Sequence, residues 1–333
     1  MEPCYHGDMK HMHDSGNSGH VVVGVDGSEN SKRAFDFALS IAQQHEREVK
    51  IVAAFTEPGY EYIPADVYGI ARKQAEHVLE EFTARAEGTG VQVSSVASEG
   101  DAAGVLIEAS DIASLVVVGK RGRSRFAGRF LGSVSASVAA HSRCPSLIVP
   151  AKYDARDLPE AQYAKMPDSP GWAETGVITA EGIEDATDFR DSVVVGIDVD
   201  AQPVETALHG ARYAQDHGLK LILVAAEPLS GSMWIPVSPI YRAEIPDMRR
   251  EVASQLEAVT VEVASQTDAL VEWRFYDADP ADVLAEASQT AAFVVVGTRG
   301  RGGFTGLLLG SISQAVLNRA VAPVLVVPSP DKD

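Results

Sequence analysis

The chain has 333 residues, a length that suggests two domains of ordinary size, and 45% of its residues are hydrophobic, which excludes disorder of the whole chain. Its 47 acidic residues exceed its 28 lysines and arginines and give a formal net charge of −19, which argues against a general nucleic-acid-binding protein. Because there is no run of about 18 apolar residues, no signal-peptide pattern and only two cysteines, we expect a cytoplasmic protein with reduced thiols and no membrane partner.

The N-terminal segment, residues 1–19, is polar and lacks an apolar pattern, so we predict a flexible tail. Its histidines and Cys4 are residue types that bind metals, but the spacing His11-x-His13 is not a strong ligand spacing. We therefore expect no metal site.

Residues 20–150 alternate between predicted strands and predicted helices. Continuous runs of Val and Ile, without polar alternation, are typical of strands that are buried on both faces of a parallel sheet. Five strands are predicted, at residues 20–26, 49–55, 91–97, 115–119 and 146–149. The predicted helix starts lie near Asn30 or Ser31, after Pro64, after Asp101 and at Gly132.

The second half of the chain repeats this pattern. Val21–Asp26 reappears as Val193–Asp198, 172 residues later, and Val116–Gly122 reappears as Val294–Gly300, 178 residues later. A tandem duplication follows, with strands predicted at residues 192–198, 219–226, 269–276, 292–297 and 323–327. The polar and acidic segment at residues 151–191 is predicted to be a linker.

These elements predict an α/β fold of two tandem, doubly wound, five-stranded parallel-sheet domains with Rossmann-like architecture. We place the first domain at residues 20–150 and the second at residues 192–329. If each sheet has the strand order 3-2-1-4-5, the order reverses between the first and fourth strands, and a ligand is expected beyond their carboxyl ends. Ser230–Pro246 is predicted to be a loop that covers this edge, with a lid or a partner surface as the alternatives.

A glycine-bordered loop follows the fourth strand in each copy. In the first copy it reads Gly119-x2-Gly122-x9-Gly132-Ser133, and the second copy has the same spacing from Gly297 to Ser311. Glycine allows positive φ angles and the close approach of a ligand to the backbone. The start of the next helix offers unpaired N–H groups and the positive end of the helix dipole, which favour an anion. The spacing therefore predicts a phosphate-binding loop in each copy.

This loop differs from the commonest phosphate-binding loops, because G-x-x-x-x-G-K-[ST] and G-x-G-x-x-G are both absent at these positions. A P-loop ATPase and a dinucleotide dehydrogenase are therefore disfavoured. The loop is basic in the first copy, where five cations lie within ten residues: Lys120, Arg121, Arg123, Arg125 and Arg129. We interpret this cluster as serving phosphate, with a solvated run of charges as the alternative.

An aspartate, Asp26 or Asp198, ends the first predicted strand of each copy. Because a carboxylate repels phosphate, the expected partners of this aspartate are ribose hydroxyls or a base amine. The alternative, which stays open at this point, is that the aspartate only caps the following helix.

Three motifs occur in both copies: V-x-x-D in the first strand, G-x2-G-x9-G-[ST] in the loop, and [CA]-P-x-x-[IV]-V-P at the end. Together they resemble the universal stress protein superfamily, over nearly the whole chain outside the tail and the linker. The loop motif is that of the family's ATP-binding branch. The resemblance implies an adenine nucleotide alpha hydrolase-like fold and a stress-response regulator that binds ATP, ADP or AMP, with Mg²⁺ accompanying a triphosphate.

The resemblance implies no catalytic residue and at most a slow ATPase. An interaction or chaperone-like scaffold with a vestigial nucleotide loop is the alternative. Carried over by position, the nucleotide-binding residues of the first copy are Asp26, Ala54, Gly119, Arg121, Gly122, Gly132, Ser133 and Val134. Those of the second copy are Asp198, Val224, Gly297, Arg299, Gly300, Gly310, Ser311 and Ile312.

The second site is expected to bind less well than the first. The sequence Gly27-Ser28 after the first aspartate is replaced by Val199-Asp200, which adds negative charge beside the proposed crevice.

The last strand of each copy is apolar and is predicted to lie at a sheet edge, which invites pairing with another strand. Family members commonly dimerise through this strand, so we expect the two copies to pair as an internal pseudo-dimer with pseudo-two-fold symmetry, and a further homodimer stays open.

Overall fold

A computed structural model describes residues 19–57, 69–122, 131–151, 176–179, 188–199, 201, 203–229, 239–298 and 309–329. The predicted flexible tail lies outside these residues except for Gly19. Within the described ranges, no helix combines the length and the apolar composition that are needed to cross a bilayer.

The described residues of the first copy form five strands and four helices in strict alternation. In chain order they are β1 (His20–Gly24), α1 (Glu29–Gln44), β2 (Val49–Phe55), α2 (Ile70–Ala86), β3 (Val93–Glu99), α3 (Ala102–Ala109), β4 (Ala113–Gly119), α4 (Ser133–His141) and β5 (Ser146–Val149). All five predicted strands are present, and two of them have the predicted bounds. The long Val and Ile runs of β1, β2, β4 and β5 form strands that are largely buried on both faces, whereas β3 lies at the edge of the sheet and is partly exposed.

The second copy repeats this alternation and is preceded by an additional strand. Its elements are β6 (Gly176–Thr179), β7 (Ser192–Gly196), α5 (Pro203–Asp216), β8 (Lys220–Ala226), α6 (Pro239–Ala264), β9 (Val271–Tyr276), α7 (Pro280–Ala287), β10 (Phe293–Gly297), α8 (Ser311–Arg319) and β11 (Val324–Val327). Helix α6 begins within Ser230–Pro246, so the loop predicted there is helical from Pro239 onward.

The eleven strands found among the described residues form one sheet in the order β3-β2-β1-β4-β5-β11-β10-β7-β8-β9-β6. Each copy has the order 3-2-1-4-5 that the sequence suggested. The copies meet where β5 and β11 pair antiparallel, with Leu147 opposite Leu325 and Ile148 opposite Val324. The predicted pairing through the last strands is thus confirmed.

Strand β6 was not anticipated from the sequence. It lies within the segment that was predicted to be a linker, and it pairs in parallel with β9, with Gly176 opposite Trp273. It adds a sixth strand to the five predicted for the second copy. Four residues in a polar surrounding give too little apolar pattern to reveal a strand.

The start of α1 differs by two or three residues from the prediction. Ser28, rather than Asn30 or Ser31, is the N-cap, and its Oγ accepts a hydrogen bond from the amide of Ser31 at 3.2 Å. By contrast, Asp101 caps α3 and α4 begins at Ser133, as expected.

The core consists of two clusters of buried side chains, one on each face of the sheet, and both clusters include residues of both copies. Across the junction, the rings of Phe37 and Phe293 pack edge to face with their centroids 6.1 Å apart. His45 Nε2 and Asp216 Oδ2 lie 2.9 Å apart at the border of the same junction. On each face of the sheet, the two copies therefore share one hydrophobic cluster.

Candidate functional site

The candidate site of the first copy is a cavity of about 250 Å³ beyond the carboxyl ends of β1 and β4. These strands are neighbours, and β1 pairs with β2 on its other side, so the cavity lies where the strand order reverses. All eight residues assigned to the first copy line it: Asp26, Ala54, Gly119, Arg121, Gly122, Gly132, Ser133 and Val134. Residues more than 100 positions apart in the sequence are thereby brought together.

The second copy has a cavity of about 590 Å³ at the equivalent place. Six of its eight assigned residues line it: Asp198, Val224, Gly297, Gly310, Ser311 and Ile312. The other two, Arg299 and Gly300, lie outside the described residues. Ligand pockets commonly measure about 300–1,000 Å³, so the second cavity is within that range and the first is slightly below it.

One assignment in the second copy needs a correction. Val224 was matched with Ala54, but the strand register pairs Gly24 with Val52 and Gly196 with Val224. The counterpart of Ala54 is therefore Ala226, two residues further along β8. Both Val224 and Ala226 line the second cavity, so the correction changes the equivalence of the residues and leaves the site where it was.

The glycines of the first loop are required by contacts within the protein. A Cβ atom on Gly119 would lie 2.9 Å from the carbonyl oxygen of Asn30, because the first turn of α1 passes directly over the end of β4. A Cβ atom on Gly122 would overlap Oδ2 of Asp26. The absence of side chains thus allows the loop, the first aspartate and α1 to converge on one crevice.

Asp26 stabilises the turn that precedes α1. Its Oδ1 accepts a hydrogen bond from the amide of Ser28 at 3.0 Å, and Gly27 between them has a φ of 79°. The helix cap itself is Ser28, so the alternative in which Asp26 caps α1 is not what the structure shows. Asp26 lines the cavity and supports the turn at the same time.

The N-terminus of α4 borders the first cavity without a side-chain cap. Gly132 is the N-cap, with φ −71° and ψ 158°, and none of the first-turn amides is bonded to a capping side chain. The N-terminus of α8 at Gly310 has the same geometry in the second copy. Since the first amides of a helix have no partner within the helix, both termini can accept an anion.

Hydrogen bonds within each copy hold these helix starts in place. In the first copy the amide of Gly132 and the hydroxyl of Ser135 both donate to the carbonyl oxygen of Lys120, each at 2.9 Å. In the second copy the amide of Gly310 donates to the carbonyl oxygen of Thr298 at 2.7 Å. The end of the fourth strand is thus bonded directly to the start of the following helix.

The basic cluster predicted to serve phosphate is divided by the structure. Arg121 lines the first cavity, whereas the side chain of Lys120 extends to the second copy, where its Nζ lies 3.0 Å from the carbonyl oxygens of Asn318 and Ala320. Burial and the neighbouring Arg121 lower the pKa of Lys120 to about 8. Interpreting Lys120 as a phosphate ligand was therefore wrong, and the other arginines of the cluster lie outside the described residues.

Sequence reasoning missed the apolar walls of both cavities. Leu106 from α3 and Leu284 from α7 line equivalent positions, and each approaches the glycine that ends the first strand of its copy, Gly24 or Gly196. The sequence signal that could have revealed these walls is an aspartate directly before each helix, followed by an apolar run. The second cavity is also lined by Phe275.

Comparison with known proteins places this chain among a large group of relatives. The profile of the universal stress protein family matches residues 17–150 and 190–328, which is most of the chain and both copies. A universal stress protein of Mycobacterium tuberculosis is 29% identical over 338 residues, covering 93% of this chain and 95% of the relative.

A solved structure shares the fold of this chain. The crystal structure of a universal stress protein from Archaeoglobus fulgidus aligns with 95% of this chain and 98% of its own length, with 20% identity and a TM-score of 0.64, and it shows the fold. A universal stress protein in complex with cAMP is 35% identical and spans 40% of this chain and 98% of its own, with a TM-score of 0.34.

Proposed function

Because this chain belongs to the universal stress protein family, we propose that it is a stress-response regulator that binds an adenine nucleotide in its two crevices. One observation carries the proposal: every motif residue assigned to the first copy lines a single cavity at the point where the strand order reverses. Six of the second copy's eight residues converge in the same way.

The groups around the first cavity suit the three parts of such a ligand. The amides at the start of α4 and the guanidinium of Arg121 would bind phosphate oxygens. Asp26 would accept hydrogen bonds from ribose hydroxyls, because a carboxylate offers only acceptors. The apolar wall formed by Val52, Ala54 and Leu106 would contact the adenine ring.

We propose regulation rather than metabolic turnover. Among the described residues that line the first cavity, Asp26 is the single carboxylate, and one of its oxygens already accepts the amide of Ser28. Rapid hydrolysis of a phosphoanhydride would need a group free to orient the attacking water, and Asp26 is held in the turn that precedes α1. Sustained multiple turnover of ATP by the purified protein would contradict this part of the proposal.

The binding test replaces the first residue of a phosphate-binding helix by proline. Proline is well tolerated at the first helical position, and the extended conformation of Gly132 and Gly310 suits a residue that precedes proline. Ser133→Pro therefore removes an amide donor and a hydroxyl from the first site while the helix is retained, and Ser311→Pro does the same at the second site.

Isothermal titration with ATP, ADP, AMP and cAMP should give two bound nucleotides in the unchanged protein. Each proline variant should weaken its own site at least 10-fold. Glu29→Pro makes the same change at the first position of α1, a residue that does not line the cavity, and should leave nucleotide affinity unchanged.

Binding that is absent at millimolar nucleotide, in a protein that unfolds cooperatively, would favour the interaction or chaperone-like scaffold with a vestigial loop. Binding that is equally strong in both proline variants would place the nucleotide elsewhere. Either result would remove the proposed role of the two crevices.

A further inference from the structure

The loop of the first nucleotide site is bonded to the second copy at both of its described ends. At the start of the loop, Lys120 Nζ donates to the carbonyl oxygens of Asn318 and Ala320, each at 3.0 Å. At the end of the loop, the amide of Leu131 donates to Oδ1 of Asn318 at 3.0 Å. We call these four residues the inter-copy latch.

Both latch residues of the second copy belong to the C-terminal turn of α8 or directly follow it. The N-terminus of the same helix, at Gly310, Ser311 and Ile312, lines the second cavity. Helix α8 has nine residues and a length of about 13 Å. One rigid element therefore has the second candidate site at one end and the loop of the first site at the other.

The latch also reaches the anion-binding part of the first site. The carbonyl oxygen of Lys120 accepts the amide of Gly132, which is the N-cap of α4, and the hydroxyl of Ser135. Leu131 directly precedes Gly132. A shift of the last turn of α8 would therefore move both groups that position the start of α4.

The chemistry of the latch favours this arrangement. An ammonium group near the last carbonyls of a helix interacts favourably with the negative end of the helix dipole. Lys120 is partly buried at this contact, and charge-assisted hydrogen bonds are stronger than neutral ones. The contact is thus more than a chance approach of two surface side chains.

The two copies differ at these positions. The counterpart of Lys120 is Thr298, whose Oγ1 accepts the amide of Ser329 within its own copy. The counterpart of Asn318 is Ala140, which has no side-chain amide. The two side chains of a reciprocal latch, from the second loop to α4, are therefore missing, and among the described residues the latch joins the first loop to α8.

We propose that the inter-copy latch couples the two crevices, so that a nucleotide bound at the N-terminus of α8 strengthens nucleotide binding in the first copy. This inference rests on the proposed function. A nucleotide bound to the first amides of α8 would restrain the position of this rigid helix, and α8 would then hold Lys120 and Leu131 in the positions that the first site needs. By linkage, filling the first site strengthens the second by the same factor.

The first test needs no nucleotide and examines the latch itself. Asn318→Ala removes the acceptor of the Leu131 amide, so we expect hydrogen exchange of this amide in the full-length protein to become at least 10-fold faster. Asn318→Asp keeps an acceptor oxygen and should retain the protection. Unchanged exchange in Asn318→Ala would overturn the proposal, whatever the protein binds.

The second test measures coupling with ATP as the probe. The first site's affinity is measured with the second site blocked by Ser311→Pro, and again in the unchanged protein with the second site filled. We expect binding at least 5-fold tighter in the latter case. The same comparison, with and without Ser311→Pro, is then made in Lys120→Thr, which installs the second copy's own residue, and in Asn318→Ala. In each of these latch variants the two affinities of the first site should agree within 2-fold.

The outcomes separate this inference from the function on which it rests. Two bound nucleotides with independent affinities, or a second nucleotide that weakens binding of the first, would overturn the proposed coupling and leave the proposed function intact. No nucleotide at either site would overturn both, and the exchange measurement would then still show whether the contact exists.

Discussion

Gly119 shows how one residue can be required for the fold and for the site at once. A methyl group there would meet the carbonyl oxygen of Asn30 at 2.9 Å, and backbone atoms cannot move aside as a flexible side chain can. We therefore expect Gly119→Ala to lower the free energy of unfolding by about 1–3 kcal/mol in the absence of nucleotide, as overpacking commonly does. Urea denaturation measures this difference directly.

Gly104 provides the matched control for this prediction. It lies inside α3, and the nearest atom to an added Cβ is Oδ2 of Asp101 at 3.9 Å. Gly104→Ala should raise stability by about 0.5–1 kcal/mol, because alanine is the better helix former. A loss of stability in both variants would contradict the steric explanation given for Gly119. Because Gly119→Ala is expected to disturb the fold, a loss of nucleotide binding in this variant does not by itself identify Gly119 as a ligand contact.

Cys144 gives a prediction about pH. Burial raises the pKa of its thiol to about 11, so between about pH 9 and 11 the folded protein keeps a proton that the unfolded chain releases. Stability contributed by this thiol is present below pH 9 and falls as the pH rises through this window, by roughly 2 kcal/mol. Cys144→Ala, which installs the second copy's counterpart Ala322, should show a smaller decrease when both proteins are unfolded by urea at pH 8 and pH 10.5.

At the scale of single residues, the sequence predicted which residues lie at the site better than it predicted where their side chains point. The eight residues that the family resemblance assigned to the first copy all line one cavity. It could not show that Lys120 points away from that cavity, because the acceptors of its ammonium group belong to a helix about 200 positions later in the chain. Only the packing of the two copies decides between these two directions.

Helix starts carry much of the site, and α7 allows their contribution to be measured. Its N-cap Asp279 accepts the amides of Ala281 and Asp282 at 2.9 and 3.1 Å, and Pro280 and Leu284 of this helix line the second cavity. We expect Asp279→Ala to reduce the free energy of unfolding by about 0.5–2 kcal/mol, since two amides lose their acceptor.

Asp279→Asn keeps an acceptor oxygen and should cost much less stability than Asp279→Ala in the same urea titration. If the two variants were equally destabilised, the loss would come from the charge of Asp279 and its attraction to the helix dipole, and the capping hydrogen bonds would not be its cause.

Among the elements, strands were the best predicted. Buried parallel strands consist of continuous β-branched runs, and such runs stand out from helical patterns. Strand β6 was not predicted because its formation depends on its pairing with β9, which the local sequence does not encode. The start of α1 was displaced because Asn30, Ser31 and Ser28 are all good caps, and the tight turn held by Asp26 selects Ser28.

For the molecule as a whole, duplication explains the junction between the copies. A single copy would leave its last strand as an apolar edge, and such an edge tends to pair with another strand. In this chain β5 and β11 pair with each other, and buried side chains of both copies belong to the same two clusters. The inter-copy latch lies beside this junction because the fourth strands, β4 and β10, flank β5 and β11.

The junction can be tested with a double-mutant cycle on Leu147 and Leu325. These leucines face each other across the antiparallel pair, and both are almost fully buried in the same cluster. Each change to alanine should lower the free energy of unfolding by about 2–5 kcal/mol. Since the two side chains occupy one shared space, the double variant should lose less than the sum of the single losses, with an interaction energy of about 0.5–3 kcal/mol.

Leu147 paired with Leu221 supplies the control cycle, because Leu221 lies on β8, four strands away from β5 in the sheet. Neighbouring strands are separated by about 4.8 Å, so these two leucines share no contact and their losses should add within about 0.5 kcal/mol. Additive losses for Leu147 and Leu325 as well would mean that these two side chains do not stabilise each other across the junction. The packing between β5 and β11 would then contribute nothing to holding the two copies in a fixed relation.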